Sequence, residues 1–173
     1  MLSASAKTAQ YLLAMEKTFF AETLEGPVRM TCEQDAVTSL VFIDKLPARL
    51  KPCDEPPALR KALRAKRVRG GSALRPQGSS FQLEVWNALL TIPHGKTTSY
   101  GALAGYMGRP RHARAVGGAI GANEISLLIP CHRVLTATGK IGGFRWGASR
   151  KEHLLQHENS GKEVKSFLLS FYN

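Results

Sequence analysis

The sequence predicts an α+β fold: a small N-terminal antiparallel sheet domain, followed by a helical C-terminal domain with a helix-turn-helix. Apolar and polar residues alternate over 18–43, which is typical of strands. Residues 79–122 instead show the three- and four-residue apolar spacing of helices. With 173 residues, 43% apolar and 21% charged, the chain has the composition of a globular protein and not of a disordered or fibrous one.

Three short strands are predicted near the N-terminus. They cover 18–21, 28–31 and 37–43, with turn residues between them, and strands joined in this way form an antiparallel meander. Residues 44–80 contain five prolines and the basic run 60–69. We interpret this segment as a connector that contains a short basic helix.

Three helices are predicted from residue 79 onward. Ser79 and Gln82 have the spacing of a capping box at the start of the first helix. The second covers 100–107 and the third 110–122, with a tight turn at Gly108 between them. Two short helices joined in this way are typical of a helix-turn-helix.

The C-terminal part of the sequence predicts a buried strand over 125–129 and a glycine-rich loop over 136–147. A last helix is expected from Ser149 to Glu158, because Ser149 and Glu152 form a second capping-box pattern. These elements divide the chain into an N-terminal β-rich domain with its basic connector (1–78), a C-terminal domain (79–160) and a tail (161–173).

The chain is strongly basic, with 24 lysines and arginines against 13 acidic residues and a net charge of +11. Basic surfaces attract polyanions, so nucleic acid is the leading class of partner, an acidic membrane surface is second, and a merely solvated surface stays open. The longest apolar runs are too short to cross a bilayer. Because the N-terminus lacks a secretory signal pattern, we expect an intracellular protein that binds no membrane.

The third predicted helix is unusual because Gly117, Gly118 and Gly121 lie in its interior. Each interior glycine costs about 1 kcal/mol relative to alanine. Close approach of another backbone would compensate for that cost. The sequence leaves open whether this backbone belongs to a nucleic acid or to the protein itself.

Of the three cysteines, Cys131 has the surroundings of a reactive thiol. It follows a proline and precedes His132 and Arg133. A histidine base and cationic neighbours favour the thiolate, which is the nucleophilic form. The alternative is a buried, inert cysteine. Cys32 and Cys53 lack such neighbours and no C-x-x-C spacing occurs, so we predict neither a disulfide framework nor a metal site.

The sequence around Cys131 resembles the O6-alkylguanine-DNA alkyltransferases, and the resemblance spans about residues 79–158. It is carried by Phe81-Gln82, Val85-Trp86, Ser99-Tyr100-Gly101, residues 113–119, Asn123, residues 129–134, Lys151-Glu152, Leu154-Leu155 and Glu158. It implies a DNA repair protein in which residues 79–160 form the alkyltransferase domain with the DNA-binding and active-site residues. The implied reaction transfers an alkyl group from O6 of guanine, or O4 of thymine, irreversibly to Cys131. The implied substrate is double-stranded DNA bound by a monomer through the minor groove, with the damaged nucleotide flipped out and with no cofactor or metal.

The resemblance also implies roles for individual residues. Cys131 accepts the alkyl group, His132 activates the thiol through a water molecule, and Glu158 orients His132. Tyr100 rotates the 3′ phosphate and donates a proton toward the guanine, while Asn123 braces the active-site loops. Arg114 would take the place of the extruded base, with further DNA contacts from Tyr100, Arg111, Ala113, Ala115, Gly117, Gly118 and Arg133. The implied substrate pocket consists of Val134, Phe144, Arg145, Trp146 and Ser149.

Two pocket positions differ from the family pattern. Phe144 stands where a tyrosine is common, and Trp146 stands where some members have glycine. The bulk of Trp146 predicts that benzyl-type guanines fit poorly.

Three other functions compete with alkyl transfer. A protein that binds the lesion and recruits other repair factors would carry another residue in place of Cys131. A regulator that uses the helix-turn-helix would carry an additional metal-cysteine module, for which the chain has too few cysteines. A cysteine hydrolase would need an oxyanion hole, which no feature of the sequence specifies.

Overall fold

A computed structural model of the chain describes residues 16–65, 67–68, 72–162 and 168–172. The strands are β1 (Lys17–Thr23), β2 (Val28–Glu33), β3 (Ala36–Phe42), β4 (Pro52–Cys53), β5 (Thr98–Ser99), β6 (Val134–Leu135) and β7 (Leu168–Tyr172). The helices are α1 (Pro57–Ala62), α2 (Ser80–Leu89), α3 (Tyr100–Tyr106), α4 (Ala113–Gly121) and α5 (Ala148–Asn159), and 3₁₀ turns cover Pro110–His112 and Cys131–Arg133. The predicted α+β class is confirmed.

The N-terminal sheet has five antiparallel strands in the order β3-β2-β1-β7-β4. The predicted meander is confirmed as β1 to β3. Val28 and Met30 of β2 are buried and alternate with the exposed Arg29, because successive side chains of a strand point to opposite faces. The sequence does not predict β7, which arises from the segment grouped as a tail and lies between β1 and β4.

The helical part begins with the capping box that the sequence predicts. The side chain of Ser79 accepts a hydrogen bond from the Gln82 amide at 3.2 Å, and the Gln82 side chain accepts one from the Ser79 amide at 2.8 Å. Trp86 of α2 donates from Nε1 to the carbonyl of Ala119 in α4 at 2.9 Å. The predicted pair of short helices is present as α3 and α4, and Gly108 between them has a φ of 71°, which favours glycine.

Two local predictions are wrong. Residues 125–129 form no strand, although they are buried: Leu127 has a φ of 67°, and Ile125 alone makes a bridge, to Leu40. The predicted cap at Ser149 is also wrong, because α5 begins one residue earlier and its N-cap is Gly147, with a φ of 98°. Burial alone explains the apolar run, since apolar residues fill the core whatever their backbone conformation.

Two further predictions need smaller corrections. The third predicted helix is split into a 3₁₀ turn over Pro110–His112 and the α-helix α4. The connector does contain a short helix, but α1 ends at Ala62, before most of the basic run. Within the described ranges, no helix combines the length and the apolar character that crossing a bilayer requires.

The sheet and the helices share one apolar core, and the sheet also fixes the segment that leads to Cys131. Leu40 of β3 donates from its amide to the Glu124 carbonyl at 2.7 Å. Its own carbonyl accepts hydrogen bonds from the Ser126 amide at 2.8 Å and the Ser126 hydroxyl at 2.6 Å. The edge strand of the N-terminal sheet therefore positions the chain on both sides of Ile125.

Candidate active site

Cys131 lies in a 3₁₀ turn that follows Pro130, and its side chain is only 3% exposed. Asn123 holds this turn: its Nδ2 lies 3.2 Å from Sγ of Cys131 and donates to the carbonyl of Ile129 at 3.0 Å. Its Oδ1 accepts from the amide of Ile125 at 3.0 Å. One side-chain amide thus binds the thiol and also satisfies backbone groups of the segment before it.

Glu158 of α5 reaches the same turn and binds the two residues that follow the cysteine. Its Oε1 lies 2.8 Å from Nε2 of His132 and 2.8 Å from Nη2 of Arg133, and its Oε2 accepts from Nε of Arg133 at 2.9 Å. The amide of Gly95 donates to the same carboxylate at 3.1 Å. Burial by itself would raise the pKa of Glu158, but the hydrogen bonds and charges of His132 and Arg133 outweigh it and hold the pKa well below its usual range.

His132 is the titratable side chain that this network positions, and its role as a base stays a prediction. Burial lowers the pKa of His132, although Glu158 opposes that shift, so the imidazole is neutral near pH 7. We assign the proton to Nε2, because the anionic Glu158 can only accept a hydrogen bond. Nδ1 is then an unprotonated acceptor, and it is buried without a hydrogen bond to any described residue.

Lys151 and Tyr100 complete the surroundings of the thiol. Lys151 is 0% exposed, donates from Nζ to the carbonyl of Val134 at 2.6 Å, and lies 6.0 Å from the centroid of the Tyr100 ring. Burial raises the pKa of Cys131, while the hydrogen bond from Asn123 and the charge of Lys151 lower it. Burial also raises the pKa of Tyr100, with a further contribution from Cys131.

No role for Lys151 is predicted from the sequence, although a signal was present. Lys151, Leu154 and Glu158 are the buried residues of α5, and they recur at the three- and four-residue spacing of one helix face. A lysine and a glutamate on the apolar face of a helix are rare unless they are paired or functional. That pattern would have placed both residues in the site.

The predicted pocket residues are spread over β6, the loop before α5 and the start of α5. The rings of Phe144 and Trp146 pack edge to face, with centroids 5.2 Å apart. Arg145 is exposed and forms an ion pair with Glu124 at 3.3 Å. Val134 is buried beside Lys151, whereas Ser149 is exposed on α5. The role of these residues as a substrate pocket stays a prediction.

The exposed side of α4 carries most of the predicted DNA contacts. Arg114, Ala115 and Gly118 are exposed there, as is Arg111 in the preceding 3₁₀ turn, and Ala113 is half-buried. A Cβ on Gly117 would lie 3.6 Å from the Tyr100 ring, which is an ordinary van der Waals contact, so packing there does not require glycine. A Cβ on Gly118 or on Gly121 would meet no atom within 4 Å. Packing within the described part of the protein therefore does not account for these two glycines.

The prediction that Arg133 contacts DNA is wrong. Its side chain is buried, and all three of its nitrogens donate inside the protein: Nε and Nη2 to Glu158, and Nη1 to the carbonyl of Ile92 at 2.7 Å. These bonds use three of the five N–H donors of the guanidinium, and burial keeps the side chain away from a phosphate at the surface. Its charge compensates the buried carboxylate instead.

A cavity of about 960 Å³ lies on the other side of the active-site turn. Pro130 and Arg133 line it, together with Arg60 and Arg64, but Cys131 is not among its lining residues. This cavity therefore gives no access to the thiol. Entry of a nucleobase requires a shift of the residues that cover Sγ.

Among the described residues, neither a cluster of metal-binding side chains nor the other two cysteines form a second candidate site. The part of the chain that the structure describes contains no group of three histidine, cysteine or carboxylate side chains that could hold a metal ion. Cys32, Cys53 and Cys131 are all free thiols. That the chemistry needs no metal or cofactor stays a prediction.

Comparison with known proteins places this site in a family. The family model described as the DNA binding domain of 6-O-methylguanine DNA methyltransferase matches residues 80–160. The crystal structure of Mycobacterium tuberculosis OGT in complex with DNA is 33% identical, with a TM-score of 0.66, over 88% of this chain and 98% of that one. The chain belongs to the O6-alkylguanine-DNA alkyltransferase family, whose members include the methylated-DNA-protein-cysteine methyltransferases.

Curated relatives match over the same domain. The methylated-DNA-protein-cysteine methyltransferase of Salmonella typhimurium is 54% identical over 81 residues, which are 47% of this chain and 47% of that protein. The bifunctional transcriptional activator/DNA repair enzyme Ada of Escherichia coli is 48% identical over 87 residues, which are 50% of this chain and 25% of that protein. The matched region therefore spans about a quarter to a half of the length of these relatives.

Proposed function

We propose that this protein repairs double-stranded DNA by transferring the alkyl group of O6-alkylguanine directly and irreversibly to Cys131. The observation that carries the proposal is the arrangement of the turn at Cys131. Asn123 binds Sγ of Cys131, and His132, the residue that follows Cys131, binds Glu158. A nucleophile followed by a base and an orienting carboxylate is the arrangement that activates a weak nucleophile. Family membership supports the same chemistry.

The reaction is a displacement at the alkyl carbon. The sulfur of Cys131 forms a bond to that carbon while the bond from carbon to O6 breaks, and the electron pair of that bond stays on the guanine. The guanine takes up one proton and is restored in the DNA. Tyr100 would supply that proton, because a tyrosine phenol is protonated at neutral pH and the upward shift of its pKa by burial keeps it so. The thioether on Cys131 is not hydrolysed, so each molecule reacts once.

The thiolate is the nucleophilic form of cysteine, and burial raises the pKa of Cys131, so the resting thiol is protonated. The thiol must therefore lose its proton before it attacks. Nδ1 of His132 is the unprotonated acceptor beside it, and we assign the transfer to this nitrogen through one bridging water. The imidazolium that forms is stabilised by Glu158, whose carboxylate stays ionised. The ammonium of Lys151 favours the thiolate electrostatically.

DNA would bind to the exposed side of α4 through its minor groove, with the protein acting as a monomer inside the cell. The open space at Gly118 and Gly121 lets a nucleic acid backbone approach the helix closely. Arg114, exposed in the first turn of α4, would fill the place of the base that is flipped out. The M. tuberculosis relative was solved in complex with DNA, which supports this partner.

The proposed division of labour follows the three segments of the chain. Residues 79–160 would carry the chemistry and the DNA contacts, and residues 1–78 would hold the active-site segment through Leu40. Residues 161–173 contribute β7 to the sheet. The base would reach Sγ after a shift of the loop that contacts Tyr100 at Gly142.

Mass spectrometry tests the proposal directly. Incubation with a duplex that contains O6-methylguanine should add one methyl group to intact protein, and peptide mapping should locate it on Cys131. Cys32, whose pKa burial raises to about 11, serves as an internal control that should stay unmodified. The Cys131→Ser variant should gain no methyl group. Tight binding to this duplex without a change in mass would support the lesion-binding alternative and contradict transfer.

A further inference from the structure

We infer that Arg150 is a positioning residue that fixes Trp146 against the N-terminal sheet and so sets the size of the alkyl group that the site accepts. The inference rests on the proposed function, because it assigns a selectivity to the same site. Arg150 lies on α5 and contacts the N-terminal sheet and its first turn. The contacts of its guanidinium carry the argument.

Arg150 joins three parts of the molecule. Its Nε donates to the carbonyl of Glu25 in the turn between β1 and β2 at 2.9 Å, and its Nη1 donates to the carbonyl of Trp146 at 3.1 Å. Cζ of the guanidinium lies over the ring of Phe42 in β3, 4.9 Å from the ring centroid. The backbone of the loop before α5 is therefore tied to the N-terminal sheet through one side chain.

Phe42 of β3, which lies under the Arg150 guanidinium, also contacts the ring of Trp146. The centroid of the Trp146 ring lies 6.0 Å from that of Phe42 and 5.2 Å from that of Phe144, both edge to face. Such aromatic pairs contribute directional stabilisation beyond the area that they bury. Phe42 thus contacts the Trp146 ring and the guanidinium that binds the Trp146 carbonyl, so ring and backbone are fixed together.

The turn that receives Arg150 is itself well ordered by hydrogen bonds. The hydroxyl of Thr23 donates to the carbonyl of Gly26 at 2.6 Å and accepts from the amide of Glu25 at 3.1 Å. The carboxylate of Glu25 also lies 2.9 Å from Nδ1 of His153, one turn further along α5. A turn with two contacts to α5 gives Arg150 a rigid support in the other domain.

Arginine is suited to this place and lysine is not. A guanidinium donates in several fixed directions within one plane and stacks on an aromatic ring, whereas an ammonium is a point charge on a flexible stem. The loop residue that follows Trp146 is Gly147, whose φ of 98° lies in the region that favours glycine. Without the two hydrogen bonds of Arg150, the Trp146 backbone would lose its tie to the N-terminal sheet, and the indole could shift and leave more room for a bulky alkyl group.

The experiment compares single-turnover alkyl transfer from two duplexes, one with O6-methylguanine and one with O6-benzylguanine. In Arg150→Met the ratio of benzyl to methyl rate constants should rise about fivefold, the effect expected for one lost hydrogen bond. Arg150→Lys should raise this ratio similarly. Because lysine keeps the positive charge, that result would assign the effect to the planar guanidinium and its hydrogen bonds, and not to the charge. Phe42→Leu removes the stacked ring and should shift the ratio in the same direction, and it remains informative if the arginine variant folds poorly.

Two further variants control the comparison. Arg29→Met, on the exposed face of β2, should leave the ratio at the wild-type value. Trp146→Gly should raise the ratio, and adding Arg150→Met to it should have no further effect, because the wall that Arg150 positions is gone. An unchanged ratio in Arg150→Met and Phe42→Leu, or additive effects with Trp146→Gly, would overturn the inference. Failure of the wild-type protein to accept an alkyl group from either duplex would instead refute the proposed function.

Discussion

Oε1 of Glu158 lies 2.8 Å from Nε2 of His132, and both side chains are almost completely removed from solvent. A carboxylate in such a place is stable only when its charge is compensated, and Arg133 provides that compensation. Because the arginine neutralises the glutamate, the imidazole need not carry a charge and stays available as a base. The pair therefore differs from a simple ion pair between His132 and Glu158.

We expect Glu158→Gln to slow alkyl transfer about 100-fold, within the range that a positioned acid or base contributes. The amide would hold His132 less strongly and could not stabilise the imidazolium. Single-turnover rates with a saturating O6-methylguanine duplex measure this effect. Affinity for the duplex should stay unchanged, because the Glu158 side chain is buried.

The same variant leaves Arg133 buried without its anion, so it should lower the free energy of unfolding by about 3 kcal/mol. Rates should therefore be measured at a temperature where circular dichroism shows the variant to be folded. Glu152→Gln, an exposed glutamate of the same helix, is the matched control and should leave both quantities unchanged. Parallel loss of DNA affinity and transfer would mean that Glu158 is purely structural.

Stability should fall as the pH is lowered, in two steps. The pKa of His132 is below 6.5 in the folded protein, so below about pH 6.5 the unfolded chain binds a proton that the folded one does not. The pKa of Glu158 is depressed too, so its contribution is complete above about pH 4.5 and is lost as the pH falls further. The exposed His153, whose pKa Glu25 raises, acts in the opposite direction and loses its small contribution as the pH rises.

Urea denaturation at a series of pH values checks the sign of this dependence. His132→Gln should flatten the plot of unfolding free energy against pH just below pH 6.5. His153→Gln should make the fall of that free energy on acidification slightly steeper. A wild-type stability that rises on acidification through this range would contradict the assignment of a neutral, buried His132.

Sequence patterns predicted the meander, the capping box at Ser79 and the two short helices, because each depends on residues close together in the chain. The placement of β7 depends on pairing with β1 across most of the chain, and its own residues carry no signal of that partner. The run 125–129 was misassigned because the Asn123 side chain and Leu40 satisfy its backbone groups at single positions, without a continuous strand pairing.

In the active site, too, the sequence predicted some residues and missed others whose role depends on distant contacts. The residues around Cys131, and the family resemblance that they carry, pointed to Cys131, His132 and Glu158, and the 2.8 Å contact between His132 and Glu158 agrees with the roles that we propose. Arg133 was misplaced because an arginine beside a reactive cysteine indicates an anionic partner, and the sequence does not reveal that this anion is Glu158. Lys151 was given no role, because its burial depends on how α5 lies against β6.

Replacement of Arg114 should affect duplex DNA more than the free base. Arg114→Ala should weaken binding to a lesion-containing duplex about tenfold, as expected for the loss of one charged contact of about 1.5 kcal/mol. Transfer from free O6-methylguanine, which requires no base extrusion, should keep its wild-type rate. Fluorescence anisotropy and intact mass measure the two quantities, and the reverse order of effects would exclude Arg114 from the proposed finger role.

Gly118 of α4, where a Cβ would meet no protein atom within 4 Å, allows a test in which stability and DNA affinity change in opposite directions. Gly118→Ala should raise the free energy of unfolding by about 0.5–1 kcal/mol, because alanine is the better helix former and its Cβ meets no protein atom. The same methyl group would obstruct the close approach of DNA and lower duplex affinity. Gly105→Ala, in equally open space on α3, should stabilise the protein and leave the affinity unchanged. Unchanged affinity in Gly118→Ala would contradict contact between DNA and this face.

Gly142 and Gly143 are neighbours that should respond very differently to alanine. A Cβ on Gly142 would lie 2.9 Å from Oη and 3.1 Å from Cε2 of Tyr100, whereas a Cβ on Gly143 would meet no atom within 4 Å. Neither glycine has a positive φ, so backbone strain does not distinguish them. Gly142→Ala must therefore displace the Tyr100 ring, and Gly143→Ala need not.

The proposed proton donor would then be displaced from the position in which it serves the guanine. We expect Gly142→Ala to slow transfer at saturating duplex about tenfold, since a misplacement of about 1 Å can cost as much as 100-fold. Gly143→Ala should react at the wild-type rate. In a Tyr100→Phe background, which lacks the atom of closest contact, Gly142→Ala should slow the reaction less than in the wild type. Equal slowing in both backgrounds would show that the methyl group acts on the loop itself and not through the tyrosine hydroxyl.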